Sequence, residues 1–140
     1  MMKPISVWKQ ELSGGAHAAR LAALYCCAPD ETPAQAARYE AVLNGLDATF
    51  GPHAEAGLYS APGRTEIGGN HTDHQHGYGL AAAVTLDLVA VAARNTDGYV
   101  RVKSRGFNKL DVIDLATAEP QEGESTHSAS LIRGLSLIHI

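Results

Sequence analysis

The stretch SAPGRTEIGGNHTDHQHGYG, residues 60–79, marks the point where the sequence changes from helical to strand-like. It holds five glycines, three of the chain's seven histidines, one arginine and two carboxylates. Strand-forming segments lie on both sides of it, so its polar residues are expected on a loop between strands. The fold prediction works outward from this loop in both directions.

Upstream of the loop the pattern favours helices. Residues 5–27 are helical in character, with an interruption at Gly14–Gly15. Residues 30–52 predict a longer helix, because Pro33 suits the first helical turn and Gly51–Pro52 ends the run. Apolar residues recur through this segment at helical spacing, which predicts a face packed into the core.

Downstream of the loop the pattern favours strands. Residues 84–95 are rich in β-branched side chains, while residues 99–106 and 109–115 alternate between apolar and polar. The segment GLYSAPGR, residues 57–64, predicts a short strand that runs into a turn at Pro62–Gly63. A further helix begins near residue 128. The predicted fold class is α+β, a mixed or antiparallel sheet backed by helices.

Composition excludes several classes of protein. The chain has 140 residues, a net charge of −4 and no dense basic patch, so nucleic acid is not an expected partner. The longest apolar run, residues 80–93, is too short for a membrane span and contains Asp87. Adjacent Cys26 and Cys27 fit neither a disulfide framework nor a zinc-ligand spacing. We therefore expect a cytoplasmic protein without a membrane partner; the oligomeric state is left open.

A metal site is one interpretation of the loop. Zinc-capable side chains occur at His71, Asp73, His74 and His76. On an extended segment His74 and His76 would share one face and the other two the opposite face. The spacing also differs from the helical H-E-x-x-H arrangement. A plain polar turn is the second interpretation, but it does not explain why the arginine, amide, imidazole and carboxylate cluster there.

Sugar recognition joined to phosphate chemistry is the third interpretation. A sugar presents hydroxyls that both donate and accept, and the amide, imidazole and carboxylate of Asn70, His71 and Asp73 match them. Arg64 lies six residues upstream of Asn70 and would neutralise charge on a transferred phosphoryl group.

The segment APGRTEIGGNHTDHQHG, residues 61–77, resembles the signature of galactokinases, within the superfamily that includes homoserine and mevalonate kinases. Residues 61–64, Gly69, residues 71–73 and Gly77 match the family wording in order and spacing. The resemblance extends over residues 58–134. It implies that ATP's γ-phosphoryl group is moved to the anomeric hydroxyl of galactose, with ATP and Mg²⁺ as cofactors.

The resemblance also implies roles for single residues. Arg64 would stabilise the transition state, and Ser104 would contact the nucleotide. The sugar hydroxyls would be held by Asn70, His71, Thr72 and Asp73. The family's glutamate before H-T-D is Asn70 here, an acceptor replaced by an amide that also donates, which leaves the identity of the sugar open.

These expectations divide the chain into three parts. Residues 1–57 form a helical region, residues 58–134 form part of a galactokinase-like sugar-binding domain, and residues 135–140 form a truncated or non-native tail. The sequence contains no Gly/Ser-rich phosphate loop of the kind that the family carries. We therefore expect an incomplete N-terminal domain that is inactive alone. A metal-dependent hydrolase and a non-catalytic sugar sensor remain as alternatives.

Overall fold

The computed structural model describes residues 1–69, 76–117, 119, 121–123 and 128–139. Residues 136–139 are described by their backbone only. Two compact units divide the chain, Met1–Ala93 and Arg94–Ile140. The predicted three-part division, at residues 57/58 and 134/135, concerns family boundaries and stays a prediction. The α+β fold class is confirmed, since helices and antiparallel sheets make up both units.

The first unit begins with helices. Strand β1 (Lys3–Pro4) leads into α1 (Ile5–Ser13) and α2 (Ala18–Tyr25), and a 3-10 turn (Pro29–Glu31) leads into α3 (Thr32–Phe50). The predicted interruption at Gly14–Gly15 separates α1 from α2, as expected.

The long helix starts at Thr32, one residue before the predicted first position. The Thr32 hydroxyl donates to the Pro29 carbonyl at 2.8 Å. At the other end Gly51 takes φ +81°, a conformation that favours glycine. The helix therefore ends where the Gly-Pro signal predicted.

Two long antiparallel strands complete the first unit. Strand β2 (Glu55–Gly68) pairs with β3 (Leu80–Ala92), and β1 pairs with the start of β2. We call the paired β2 and β3 the ribbon. Its proximal half pairs residues 57–62 with 87–92, and its distal half pairs residues 64–68 with 80–83.

The core of the first unit lies between the helices and the proximal half of the ribbon. Leu43 of α3 is fully buried at its centre. Leu58, Val89 and Val91 of the ribbon pack against this helical core. The apolar face predicted for residues 30–52 is thereby confirmed as a packing face. Its buried members in α3 are Ala36, Tyr39, Leu43 and Leu46.

The second unit is a hairpin with a helix. Strands β4 (Tyr99–Lys103) and β5 (Leu110–Asp114) pair in antiparallel register, and α4 (Ser128–His139) packs on β5. Ile113 is fully buried, and the nearly buried Arg133 donates from Nη1 to the carbonyls of Asp114 and Thr117 at 3.0 and 2.7 Å. Each predicted strand and the predicted helix of this part is present.

Candidate functional site

Arg64 lies on β2, at the start of the distal half of the ribbon. Its side chain is 74% exposed, and Nη2 lies 3.6 Å from Oε1 of Glu66. The sequence predicted a turn at Pro62–Gly63 that would re-aim Arg64. That prediction is wrong, since β2 runs on through both residues to Gly68. A break in the strand register between Pro62 and Arg64 takes the place of the turn.

Gly63 sits opposite this break. Pro62 faces Asp87 but Arg64 faces Ala83, so β3 carries two extra residues at this point, as in a bulge. A Cβ on Gly63 would lie 3.1 Å from both the Leu86 carbonyl oxygen and Cγ2 of Val84. The bulge therefore leaves little space for a side chain at the third position of the A-P-G-R motif.

Gly69 closes the base of the loop that the ribbon carries. It has φ +79°, and a Cβ there would lie 2.0 Å from the Tyr78 carbonyl oxygen and 2.8 Å from Cα of Gly79. Only glycine fits both the conformation and the space. The chain therefore leaves the ribbon at Gly69 and returns beside it at Tyr78.

The predicted sugar-binding residues Asn70, His71, Thr72 and Asp73 lie outside the described residues, as does His74 of the metal interpretation. His76 is described; it is exposed, with φ +61°. In the sequence, residues 70–77 follow Gly69 and precede Tyr78, and Gly69 and Tyr78 lie side by side. Their roles remain predictions.

A buried carboxylate lies at the boundary between the two halves of the ribbon. The Asp87 side chain is 2% exposed, and Arg38 Nη2 donates to its Oδ1 at 2.5 Å. Its Oδ2 accepts from the Tyr25 hydroxyl at 2.6 Å and from the Ser60 hydroxyl at 2.5 Å. Tyr39 lies 2.8 Å from the Tyr25 oxygen. Since Tyr25 gives its one proton to the carboxylate, Tyr39 donates to Tyr25.

These contacts hold Asp87 in its charged form. Burial alone would raise the pKa of Asp87, but hydrogen bonds from Ser60, Tyr25 and Arg38 and the Arg38 charge outweigh it and lower the pKa. Burial and the bond to Asp87 raise the pKa of Tyr25, so the phenol stays protonated. The hydrogen bond to Asp87 likewise raises the pKa of Arg38. We call these residues, with Tyr39, the Asp87 cluster.

Sequence analysis missed the Asp87 cluster. It noted Asp87 only as a charge inside an apolar run, which argued against a membrane span. A charged residue on a core-facing strand position needs partners, because an unpaired buried charge is costly. That signal was present, but the partners on α2 and α3 could be identified only from the structure.

Ser104 lies in the second unit, directly after β4. It is exposed, and its carbonyl oxygen accepts from the Phe107 amide at 3.2 Å. Its contact with ATP stays a prediction.

Metal ligands do not cluster in the described part of the chain. No group of three or more His, Cys, Asp or Glu side chains there could hold a metal ion. Three of the four residues of the zinc interpretation fall outside this search.

Comparison with known proteins identifies the segment that carries the ribbon. Residues 47–94 match the family model described as the galactokinase galactose-binding signature. This range includes Arg64, the loop and Asp87. Over this segment the chain is similar to galactokinases.

Individual galactokinases give the same result. The galactokinase of Lactococcus lactis subsp. lactis is 36% identical over 77 residues, which cover 54% of this chain and 19% of that protein. The galactokinase of Enterococcus faecalis is 30% identical over 96 residues, covering 69% and 24% respectively. The chain thus spans about a quarter or less of the length of these relatives.

No solved structure matches the chain significantly. Across the residues that the structure describes, no helix combines the length and the apolar character that crossing a membrane requires.

Proposed function

We propose that this chain supplies the galactose-binding loop and a catalytic arginine to an enzyme that phosphorylates galactose at its anomeric hydroxyl. The observation that carries the proposal is the match of residues 47–94 to the galactose-binding signature. It is supported by the paired strands of the ribbon, whose exposed distal half carries Arg64 and ends where Gly69 meets Tyr78.

The sugar would be bound by the loop. Asn70, His71, Thr72 and Asp73 provide an amide, an imidazole, a hydroxyl and a carboxylate, which match the donors and acceptors of a polyol. Asp73 would be the strongest acceptor because it is charged.

Arg64 would act on the phosphoryl group. Its guanidinium is highly exposed, and its recorded contact with Glu66 is long, so it is available for an anion. Phosphoryl transfer depends on positioning and on neutralising the charge of the three equatorial oxygens. ATP would supply the transferred group. Mg²⁺ is the metal that the family resemblance implies, and we assign it no ligand in this chain.

The test uses the whole protein that the gene encodes, which we call the gene product. With ATP, Mg²⁺ and galactose, we expect Arg64→Ala to lower kcat by roughly 100-fold or more and to change the galactose KM little. The reason is that a phosphoryl-binding arginine stabilises mainly the transition state. Arg20→Ala, which removes an exposed charge from α2, is the matched control and should retain wild-type kinetics.

Other results would contradict the proposal in different ways. A similar loss in kcat and in sugar affinity would mean that Arg64 only positions the substrate. Galactose binding without turnover in the wild-type gene product would favour a sugar sensor. Stoichiometric zinc that is lost on changing His71 or Asp73 would favour the metal-dependent hydrolase.

A further inference from the structure

We propose that Asp87 is a positioning residue for the sugar-binding loop, because it fixes the ribbon to the helices at the last strand pair before the bulge. The inference rests on the proposed function and deepens it. It assigns to the Asp87 cluster a role in orienting Arg64 and the loop, in addition to any contribution to stability.

Three elements converge on this one carboxylate. Tyr25 reaches it from α2, Arg38 from α3 and Ser60 from β2, with donor–acceptor distances of 2.6, 2.5 and 2.5 Å. Arg38 also donates to the Asp87 carbonyl at 3.3 Å, so its guanidinium holds both the side chain and the backbone of β3. Hydrogen bonds have a preferred direction as well as a preferred length. The bonds from Tyr25 and Arg38 therefore restrict both the distance and the orientation of the ribbon relative to the helices.

Because of where Asp87 lies along the ribbon, these bonds influence the position of the distal half. Asp87 faces Pro62, and the register breaks immediately afterwards. From Ala61 to Gly68 every residue of β2 is exposed. The distal half, with Arg64 and the loop base, thus extends beyond the helical packing, and the Asp87 cluster stands where it departs.

The length of the distal half enlarges the effect of a tilt at Asp87. Strands rise about 3.3 Å per residue, so Gly69 lies roughly 20 Å beyond Pro62. A tilt of about 5° at Asp87 would displace the loop base by about 2 Å, and a 1 Å misplacement can cost about 100-fold in rate. Small changes in how Asp87 is held would therefore be felt at the site.

Apolar packing alone would not give this control. Leu58, Val89 and Val91 resist separation of the ribbon from the helices. Such contacts are non-directional and tolerate sliding, whereas hydrogen bonds to a buried carboxylate do not. Buried ion pairs also contribute little net stability compared with well-packed apolar residues. Orientation is the property that the polar cluster adds.

The experiment removes one donor from the cluster. In the gene product, Tyr25→Phe removes the donor that α2 supplies but leaves Asp87 paired with Arg38 and Ser60. We expect kcat/KM for galactose to fall about tenfold or more, because a 1 Å misplacement can cost about 100-fold in rate. Ser60→Ala removes the donor within the ribbon, where β2 stays paired with β3, and should cause a smaller loss. Ser60→Thr keeps the hydroxyl and should reverse that smaller loss.

The control separates orientation from stability. Ile5→Val removes one methylene from the buried core on α1, an element that contributes no side chain to the Asp87 cluster. It should lower the unfolding temperature to a degree comparable with Tyr25→Phe and leave kcat/KM unchanged. If Ser60→Ala and Tyr25→Phe lose stability but retain wild-type kcat/KM, the cluster is only structural and the proposal is overturned.

Amide hydrogen exchange gives a readout that does not depend on catalysis. Tyr25→Phe should speed exchange at residues 64–68 and 80–83 while α1 exchanges as in the wild type. If the wild-type gene product phosphorylates no sugar, the proposed function fails, yet this measurement still decides whether Asp87 restrains the distal half. Unchanged exchange there would overturn the inference.

Discussion

At the scale of single residues, two glycines of the signature are favoured over larger residues for different physical reasons. Gly63 faces the bulge of β3, where a Cβ would be crowded but not excluded, at 3.1 Å from its neighbours. Gly69 is more restricted, since its positive φ and the 2.0 Å approach to the Tyr78 carbonyl both exclude a side chain. The motif therefore contains one glycine that relieves crowding and one that the fold cannot replace.

Gly69→Ala should disrupt the base of the loop. A non-glycine residue at this φ costs about 1–2 kcal/mol, and the clash with a backbone oxygen forces the strands apart. We expect a lower unfolding temperature in calorimetry and a loss of galactose binding by the gene product in titration calorimetry.

Gly45→Ala is the matched control for this prediction. Gly45 lies in α3, and a Cβ there meets nothing within 4 Å. The substitution should stabilise the protein by about 0.5–1 kcal/mol because alanine is the better helix former. Wild-type stability and sugar binding in Gly69→Ala would show that the loop base is not closed as described.

Sequence reasoning succeeded unevenly at this scale. A short motif near a polar loop singled out Arg64, and the structure locates this residue at the start of the distal half; its catalytic role stays a prediction. The partnership of Asp87 with Tyr25 and Arg38 could not, because those residues are 62 and 49 positions away along the chain. Pairings over such separations depend on how helices pack on strands.

At the scale of elements, the ribbon shows why a Pro-Gly pair need not end a strand. Proline is tolerated in sheets at edges and bulges, and glycine often marks a bulge. Pro62–Gly63 occurs at the register break of a ribbon whose β2 edge is paired by β1 only at Glu55–Ala56. The Pro-Gly pair predicted a turn, whereas the structure has a bulge at this position.

The junction of β1, α1 and α2 is held by one carboxylate. Glu11 accepts from Lys3 Nζ at 3.0 and 2.7 Å and lies 2.8 Å from Nε2 of His17. Lys3 also stands over the Trp8 ring, 4.7 Å from its centroid. Hydrogen bonds from Lys3 and then from His17 lower the pKa of Glu11. The charged carboxylate thus links the two short helices on either side of Gly14–Gly15.

Glu11→Gln should destabilise the protein in a pH-dependent way. Because folding lowers the pKa of Glu11, its contribution is complete above the unfolded-state pKa and is lost as pH falls through the folded-state pKa. We expect the variant to unfold at a lower temperature than the wild type at pH 7. The difference should shrink below about pH 4 as the carboxyl becomes protonated.

Glu40→Gln makes the same charge change on α3 and serves as the control in these thermal scans. It should differ little from the wild type at either pH. An equal deficit for Glu11→Gln at pH 7 and at pH 3 would mean that the ion pairs do not contribute, and that the substitution acts through packing.

At the scale of the whole molecule, the ribbon is apolar on both faces. The face towards the helices carries Leu58, Val89 and Val91. The opposite face carries Tyr59 and Leu88, which are 51% and 67% exposed. Strands that read as near-continuous apolar runs are usually covered on both sides. In the 140-residue chain this second face is open to solvent along its described length.

The isolated chain should therefore expose an apolar surface that favours association. We expect it to bind a hydrophobic fluorescent dye and to self-associate in sedimentation velocity runs at high concentration. Leu88→Lys should reduce both effects with little change in unfolding temperature, because the side chain is largely exposed.

Leu24→Lys tests whether position matters. Leu24 is 48% exposed on α2, away from the open face of the ribbon, so its substitution should leave dye binding and association unchanged. A large stability loss in Leu88→Lys would contradict the prediction, since it would mean that Leu88 is buried in the isolated chain.

The sequence by itself determined the order and type of the elements, because hydrophobic period, glycine and proline signals act over a few residues. It also located the Arg64 motif and the loop that follows, through the spacing of polar groups along one segment. Only the tertiary structure decided that Pro62–Gly63 is a bulge, that Gly69 closes the loop base against Tyr78, and that Asp87 joins two helices to the ribbon. Each of these depends on two distant segments meeting in space, and local patterns carry no information about which distant partner a residue will meet.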